Sequence, residues 1–270
     1  MSSSAPWRAR NVAQLLDGGC RLLHRRARAI LTVVVVVVVP VELAAALAMR
    51  WAGPGATFPV LGIFLAPEDS GAAFTASLAL FAVRSLSLVL VAGPIAHIAV
   101  SDAFDHALPA RQAWRMARSR LAAQLGAWCL AKPAMAVAGA VTSGIGTLLV
   151  SALLVVAAPA IAIEQLGPYR GLKRSWRLAG RRFGDSIGFV LLCALVSTVV
   201  TVAVGGLAFI GEVVQPLAAL DWLFAVVAAI AASLVTVPIV VGATVLYYVD
   251  LRTRTEGVDL VIEAREVLTA

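Results

Sequence analysis

The sequence predicts an all-α protein, a polytopic transmembrane helical bundle of about six spans with amphipathic helices at the cytoplasmic interface. Three observations predict it. Hydrophobic residues make up 61% of the 270 residues and charged residues 14%, with a mean hydropathy of +0.93. A soluble domain of this size needs far more polar surface to cover its core. The apolar residues also fall in long blocks, and a helix of about 20 apolar residues crosses a ~30 Å hydrocarbon layer. Finally, one alternating path through the spans puts every basic cluster on one side, as the positive-inside bias requires.

The first span covers residues 29–51 and includes seven consecutive valines, Val33 to Val39. β-branched residues favour strands in water, but in lipid the backbone must satisfy its own hydrogen bonds, so helix wins. Ahead of it, residues 11–28 carry an apolar face (Val12, Leu15, Leu16, Leu22, Leu23) and a cluster of arginines at the end. They read as an amphipathic helix on an anionic leaflet, with Gly18-Gly19 as its break. The basic stretch from Arg8 to Arg28 is too long for a signal peptide, so the first span reads as retained. Residues 52–72, rich in Gly and Pro and without Lys or Arg, read as an outside loop. The second span is 73–100. Residues 121–163 suit a hairpin of two spans turning outside at Thr142–Gly146. The fifth and sixth spans are 186–210 and 222–249. The domain reading is a cytoplasmic segment 1–28, a membrane domain 29–249 and a cytoplasmic tail 250–270. Prolines within the spans (Pro40, Pro94, Pro133, Pro159, Pro238) suggest kinks. The location expected is a bacterial cytoplasmic (inner) membrane, with both termini cytoplasmic.

Net charge is +7 and the pI about 10.1. The basic loops account for this, and no nucleic acid partner is expected. Cys20, Cys129 and Cys193 are scattered without a CxxC neighbour, which predicts neither a disulfide framework nor a zinc site. His97, Asp102, Asp105 and His106 lie near one boundary. Metal ligation is conceivable there, but such residues also belong at a helix end, and no metal is expected. No catalytic constellation, phosphate-cradling loop or cofactor motif is readable. Gly205-Gly206 and the Gly139/Ser143 and Ala140/Gly144 spacings suit close helix packing.

Two basic segments repeat at an offset of 62 residues: Ala113-Trp114-Arg115-Met116-Ala117-Arg118 and Ser175-Trp176-Arg177-Leu178-Ala179-Gly180-Arg181. Each follows a span ending in an acid, Asp102 or Glu164, and each places Trp on the apolar side of a helix. Trp114, Arg115, Arg118, Arg174, Trp176, Arg177 and Arg181 are therefore candidate contacts to anionic lipid headgroups. Glu42, Arg84 and Lys132 fall mid-span, where charges are costly and pair or face the bundle interior. Glu42 can pair with either base, leaving one positive charge for an anion or a lipid phosphate. In the tail, Tyr248, Asp250, Arg252, Glu256 and Asp259 form a candidate cytoplasmic docking motif that would pair with the basic loops.

GLKRSWRLAGRRF at 171–183 and LYYVDLRTRTEGVDL at 246–260 resemble the membrane domain found ahead of some bacterial glycerophosphodiester phosphodiesterases, and stand-alone membrane proteins of the same pattern. The resemblance covers roughly the last 110 residues and implies a membrane fold. It does not imply hydrolysis, because the phosphodiesterase barrel is absent from this sequence. The expected function is non-enzymatic: a lipid-interacting or scaffold module with a basic cytoplasmic face. Its expected partners are anionic membrane lipids and a membrane or cytoplasmic protein. The alternative is a transporter or lipid-translocating protein using Glu42, Arg84 and Lys132.

Overall fold

The computed structural model describes residues 11–52, 71–103, 106–205 and 221–256, with side chains described for 11–47, 83–103, 106–205 and 223–256. Among them the protein is all-α. The helices are α1 (Val12–Arg25), α2 (Ala27–Ala52), α3 (Gly71–Ala103), α4 (Ala110–Ala117), α5 (Leu121–Val141), α6 (Ile145–Leu154), α7 (Ala157–Glu164), α8 (Pro168–Arg181), α9 (Phe183–Gly205) and α10 (Asp221–Glu256). Six segments are long and apolar enough to cross a membrane: 27–47, 83–103, 110–141, 145–164, 183–205 and 223–256. This is a multi-pass integral membrane protein.

The valine run is helical and two-faced. Val33, Val34 and Val38 are fully buried, while Val35 and Val36 are 41% and 60% exposed on the side left for lipid. Ile30, Val34, Val38, Glu42 and Ala45 follow each other at helical spacing on the buried face, so the one acid of this span points into the bundle. The hairpin turns at Thr142–Gly144, where Ser143 and Gly144 adopt positive φ (51° and 94°). A Cβ on Gly146 would meet the Ala138 backbone, so the close approach beside the turn rests on Gly146 rather than on Gly144.

The N-terminal helix departs from expectation. Asn11 caps α1 reciprocally with Gln14: the Val12 amide donates to Asn11 Oδ1 (2.7 Å) and the Asn11 amide donates to Gln14 Oε1 (2.9 Å). The helix runs unbroken through Gly18-Gly19, and the bend falls at Arg26, between α1 and α2. Gly19 is there for contact, not for a break. A Cβ on it would lie 2.8 Å from the Ile239 carbonyl oxygen and 3.0 Å from the Ala243 amide nitrogen. The backbones of α1 and α10 cross at this point, and Leu15 and Leu22 are buried. The apolar face of α1 is therefore covered by α10 rather than laid on lipid. Gly19→Val is expected to cost about 3 kcal/mol through backbone overlap and to expose Arg21 and Arg25 to trypsin. Unchanged melting and unchanged cleavage would refute the crossing.

The spans also treat their prolines differently. Helix runs through Pro40, Pro94, Pro133 and Pro238. At Pro159 the fourth span is interrupted, with α6 ending at Leu154 and α7 starting at Ala157. Proline has no N–H to bond the carbonyl four residues back, that of Val155, and its ring crowds that carbonyl. In the first turn of a new helix neither defect matters. Ser175 of α8 donates to the Leu153 carbonyl at the break (2.8 Å), so a side chain from another element takes up a carbonyl that the helix has released.

At the other boundary α10 outlasts its expected end at Val249 and continues to Glu256. Pairs at i,i+4, Asp250–Arg254 (2.8 Å) and Arg252–Glu256 (3.2 Å), support the extra turns. Leu251 and Thr253 bury their side chains.

Candidate functional site

Three polar constellations lie inside or at one end of the apolar bundle. The first is intramembrane. Glu42 is 6% exposed. Arg84 Nη2 donates to its Oε2 at 2.5 Å, and Ser233 Oγ donates to its Oε1 at 2.9 Å. Glu42, Arg84 and Ser233 thus tie α2, α3 and α10 together. Of the two partners the sequence allowed, Glu42 takes Arg84, and Lys132 lines a cavity elsewhere in the bundle. The pair forms a neutral brace, with both carboxylate oxygens occupied.

The second constellation joins the basic end of the bundle. Arg174 of α8 bonds two carboxylates at once. It reaches Glu164 through Nε (2.9 and 3.0 Å) and Nη2 (2.8 Å), and Glu256 through Nη1 and Nη2, the latter at 2.8 Å. Tyr248 donates to Glu164 Oε1 (2.5 Å), and Arg252 sits against both acids, 3.2 Å from Glu256 and 3.7 Å from Glu164. The hydrogen bond to Glu256 raises the Arg174 pKa above the ordinary guanidinium value; burial opposes this, and Glu164 adds to it. Two arginines meet two glutamates, so the cluster is neutral and locks α7, α8 and α10. Its charges are matched internally. Beside it the Tyr247 and Ser186 hydroxyls share a hydrogen bond (2.8 Å), and Tyr247 stacks on Phe189 with centroids 4.4 Å apart. Arg181 reaches the Thr255 carbonyl at 3.4 Å.

This placement sorts the candidates. Arg174 is drawn into the bundle, its side chain 15% exposed, rather than turned to headgroups. Arg115, Arg118, Arg177 and Arg181 are exposed. The repeat is not symmetric at its tryptophans: Trp114 is half-buried against the core, whereas Trp176 is 53% exposed and does not lie on the buried side. What the two copies share is a small-residue face, Ala113/Ala117 and Ser175/Ala179, all essentially fully buried. Small residues let a short helix sit flat on its neighbours. Of the tail motif, Tyr248, Arg252 and Glu256 enter the lock, Asp250 pairs with Arg254, and Asp259 lies outside the described residues.

The acids that close the two repeat units behave alike. Glu164 holds Arg174, and Asp102 accepts from Arg26 Nε (2.6 Å) with Arg25 at 3.4 Å. Asp102 is thus an anchor for the bend between α1 and α2. Among the described residues no group of three or more His, Cys, Asp or Glu could hold a metal ion, and Asp105 lies outside them.

The third constellation was not anticipated. A cavity of about 300 Å3 opens among α3 and α5 to α10. One face of α5 lines it, with Gln124, Trp128 and Lys132 at successive steps of four residues. Gln124 is 1% exposed, and among the described residues neither atom of its amide has a hydrogen-bond partner. Trp128 Nε1 donates to Ser85 Oγ at 3.0 Å. The other side of the cavity holds Leu154, Val155 and Ala157, the residues at the break in the fourth span. A lone glutamine four residues before a tryptophan and eight before a lysine, within an apolar helix, was the available sequence signal.

No protein-family model, curated protein or solved structure matches this chain.

Proposed function

We propose that this protein is a non-enzymatic, lipid-interacting membrane module whose basic end lies at the cytoplasmic leaflet of a bacterial inner membrane. One observation carries the reading. Two short amphipathic helices, α4 and α8, are seated on the bundle by their small-residue faces and turn Arg111, Arg115, Arg118, Lys173, Arg177 and Arg181 outward at the same end. The arginines that serve the fold, Arg26 and Arg174, are neutralised internally. The outward set is therefore available to anionic headgroups, and an exposed Trp176 beside it suits the interface. The resemblance to the membrane domain of glycerophosphodiester phosphodiesterases is part of the same proposal. The residues that carry it, Tyr247, Tyr248, Arg252 and Glu256, tie α10 to α9, α7 and α8, a scaffold role that needs no barrel.

The test is lipid retention. Each interfacial arginine is worth about 1 kcal/mol toward an anionic surface. Wild-type protein taken from mixed vesicles into mild detergent should carry phosphatidylglycerol in preference to phosphatidylcholine, by native mass spectrometry. Replacing Arg115, Arg118, Arg177 and Arg181 by Gln together should erase the preference. Equal retention by the variant would refute the reading. A second reading, lipid translocation, is favoured by the broken fourth span, since non-helical backbone at membrane depth is tolerated where it lines a cavity. It requires that the same vesicles show transbilayer movement of a labelled lipid above protein-free controls, and no movement removes it.

A further inference from the structure

We infer that the cavity beside α5 is a binding site for a single hydrocarbon chain, the acyl tail of a membrane lipid, held between two copies of one repeated helical unit. The inference rests on neither reading above, because none of the outward arginines lines this cavity.

The offset of 62 residues that relates the basic segments extends beyond them. It carries Asp102, near the end of α3, onto Glu164 at the end of α7, and α4 into α8. It also carries the first residue of α5, Leu121, onto the first residue of α9, Phe183. Each unit is therefore a span, a short amphipathic helix and a second span. Helices α3 to α5 form one unit, and α6 to α9 form the other. The cavity lies between them, and α5 and α9 give it equivalent positions: Ala127 and Phe189, Trp128 and Val190, Ala131 and Cys193. A packing fault has no reason to respect that equivalence, whereas proteins built from repeats place their sites where the repeats meet. Helix α10 packs against both α3 and α9 and adds Val240 and Thr244 to the wall.

The wall says what fills it. Its polar side chains are already committed. Trp128 donates to Ser85, while Ser151 and Thr244 donate to carbonyls of their own helices, Leu148 (2.8 Å) and Val240 (2.7 Å). Lys132 has an interaction partner. Gln124 keeps both amide atoms closed to water, beside Gly93 and Ala117, and neither of those lines the cavity. A buried water needs about two to four polar partners, and this wall does not favour one. The remaining wall, with Leu88, Leu154, Val155 and Ile161, is apolar. An apolar cavity of about 150 Å3 stays dry and takes a benzene-sized guest. This one, about 300 Å3, has room for a longer guest. Its wall on α5 runs from Gln124 to Met135, about 16 Å of helix. At that length the volume holds part of one acyl chain and not two. Hydrocarbon is also the material that surrounds the bundle.

Trp128, in the wall, is the built-in reporter. Protein is reconstituted in vesicles of phosphatidylcholine with acyl chains brominated at mid-chain, which quench indole on contact, and in unbrominated vesicles. The emission of Trp128 is the difference between each protein and the same protein carrying Trp128→Phe. In wild type it should lose most of its intensity in brominated lipid. Ala131→Phe fills the cavity from α5, and Cys193→Phe fills it from the equivalent position on α9, so each should restore the emission. Both fill space and should leave the melting temperature unchanged or raised. A variant that melts lower is replaced by Ala131→Leu or Cys193→Leu, for which the same restoration is expected. Equal quenching in the folded, filled variants means that lipid on the outer surface reaches Trp128, which overturns the site. Unquenched Trp128 in wild type overturns it as well, since chains then do not enter. Quenching by brominated phosphatidylglycerol but not by brominated phosphatidylcholine overturns recognition of the tail and gives the selection to the head group. Phosphatidylcholine carries no net charge, so loss of the anionic preference proposed above would leave this result untouched, and the two failures are told apart.

Discussion

Replacing Arg84 by Met is expected to lower stability in mild detergent by about 3 kcal/mol, toward the lower end of the range for a broken buried ion pair. The variant keeps the Arg84 stem and removes the charge. Glu42, 6% exposed, then retains only the Ser233 hydroxyl. The lower end is appropriate because the Arg84 side chain, 28% exposed, is not fully enclosed by the bundle. The large penalty lies in leaving the carboxylate alone, so the double variant Glu42→Gln/Arg84→Met should recover most of the loss. Gln keeps an oxygen for Ser233 and carries no charge. Glu42→Gln alone should cost less than Arg84→Met, because the arginine it leaves behind is the more exposed partner. Thermal unfolding of the four proteins gives the coupling directly. A loss below about 1 kcal/mol in Arg84→Met would mean that water reaches Glu42 freely, and the brace would not hold α2, α3 and α10 together.

Arg174→Met is expected to be of similar size, about 3 kcal/mol, with a different local signature. Glu164 and Glu256 share one guanidinium, and their side chains are 18% and 29% exposed. Without it two carboxylates face each other, with Arg252 left to serve both. The last two turns of α10 should detach from α8, because Glu256, the Thr255 carbonyl and Tyr248 are their links to α7 and α8. Hydrogen exchange at residues 250–256 should rise by orders of magnitude, while exchange in α2 and α3 stays as in wild type. Arg174→Lys should recover part of the loss at most, since an ammonium cannot present parallel N–H pairs to two carboxylates. If residues 250–256 stay protected in Arg174→Met, the helical extension stands on its i,i+4 pairs alone and the lock is incidental.

The bundle itself was legible because two independent physical constraints agree. Lipid requires long apolar helices, and the charge asymmetry assigns their ends. The contacts Arg26–Asp102, Arg120–Gln165 and Arg174–Glu256 join the α1–α2 bend to α3, the start of α5 to the end of α7, and α8 to α10. The hairpin turn followed from the stretch 142–146, in which Gly144 takes its φ of 94° without steric cost. Charged residues in the spans could be recognised as paired or turned to the bundle interior, since hydrocarbon makes them costly.

The choice of partner was decided only in three dimensions. Helical periodicity places Glu42 on the inner face of α2, but which base it meets depends on the rotation of α3 and α5, which is set by packing. Gly18-Gly19 has the composition of a break, and only the crossing of α1 over Ile239 and Ala243 shows that the missing Cβ serves contact. Arg174 and Arg177 read alike on one basic helix. They differ because α8 turns a buried stripe of Gly171, Ser175, Leu178 and Ala179 inward, carrying Arg174 to its edge and leaving Arg177 outside. The chain order shows a lone glutamine in an apolar helix, but not that the Gln124 amide finds no partner among the described residues. Composition and periodicity determined that this protein crosses a membrane repeatedly and which end collects its basic charge. The tertiary structure decided which polar groups satisfy one another, because in an apolar bundle a partner is set by how helices rotate against each other and not by distance along the chain.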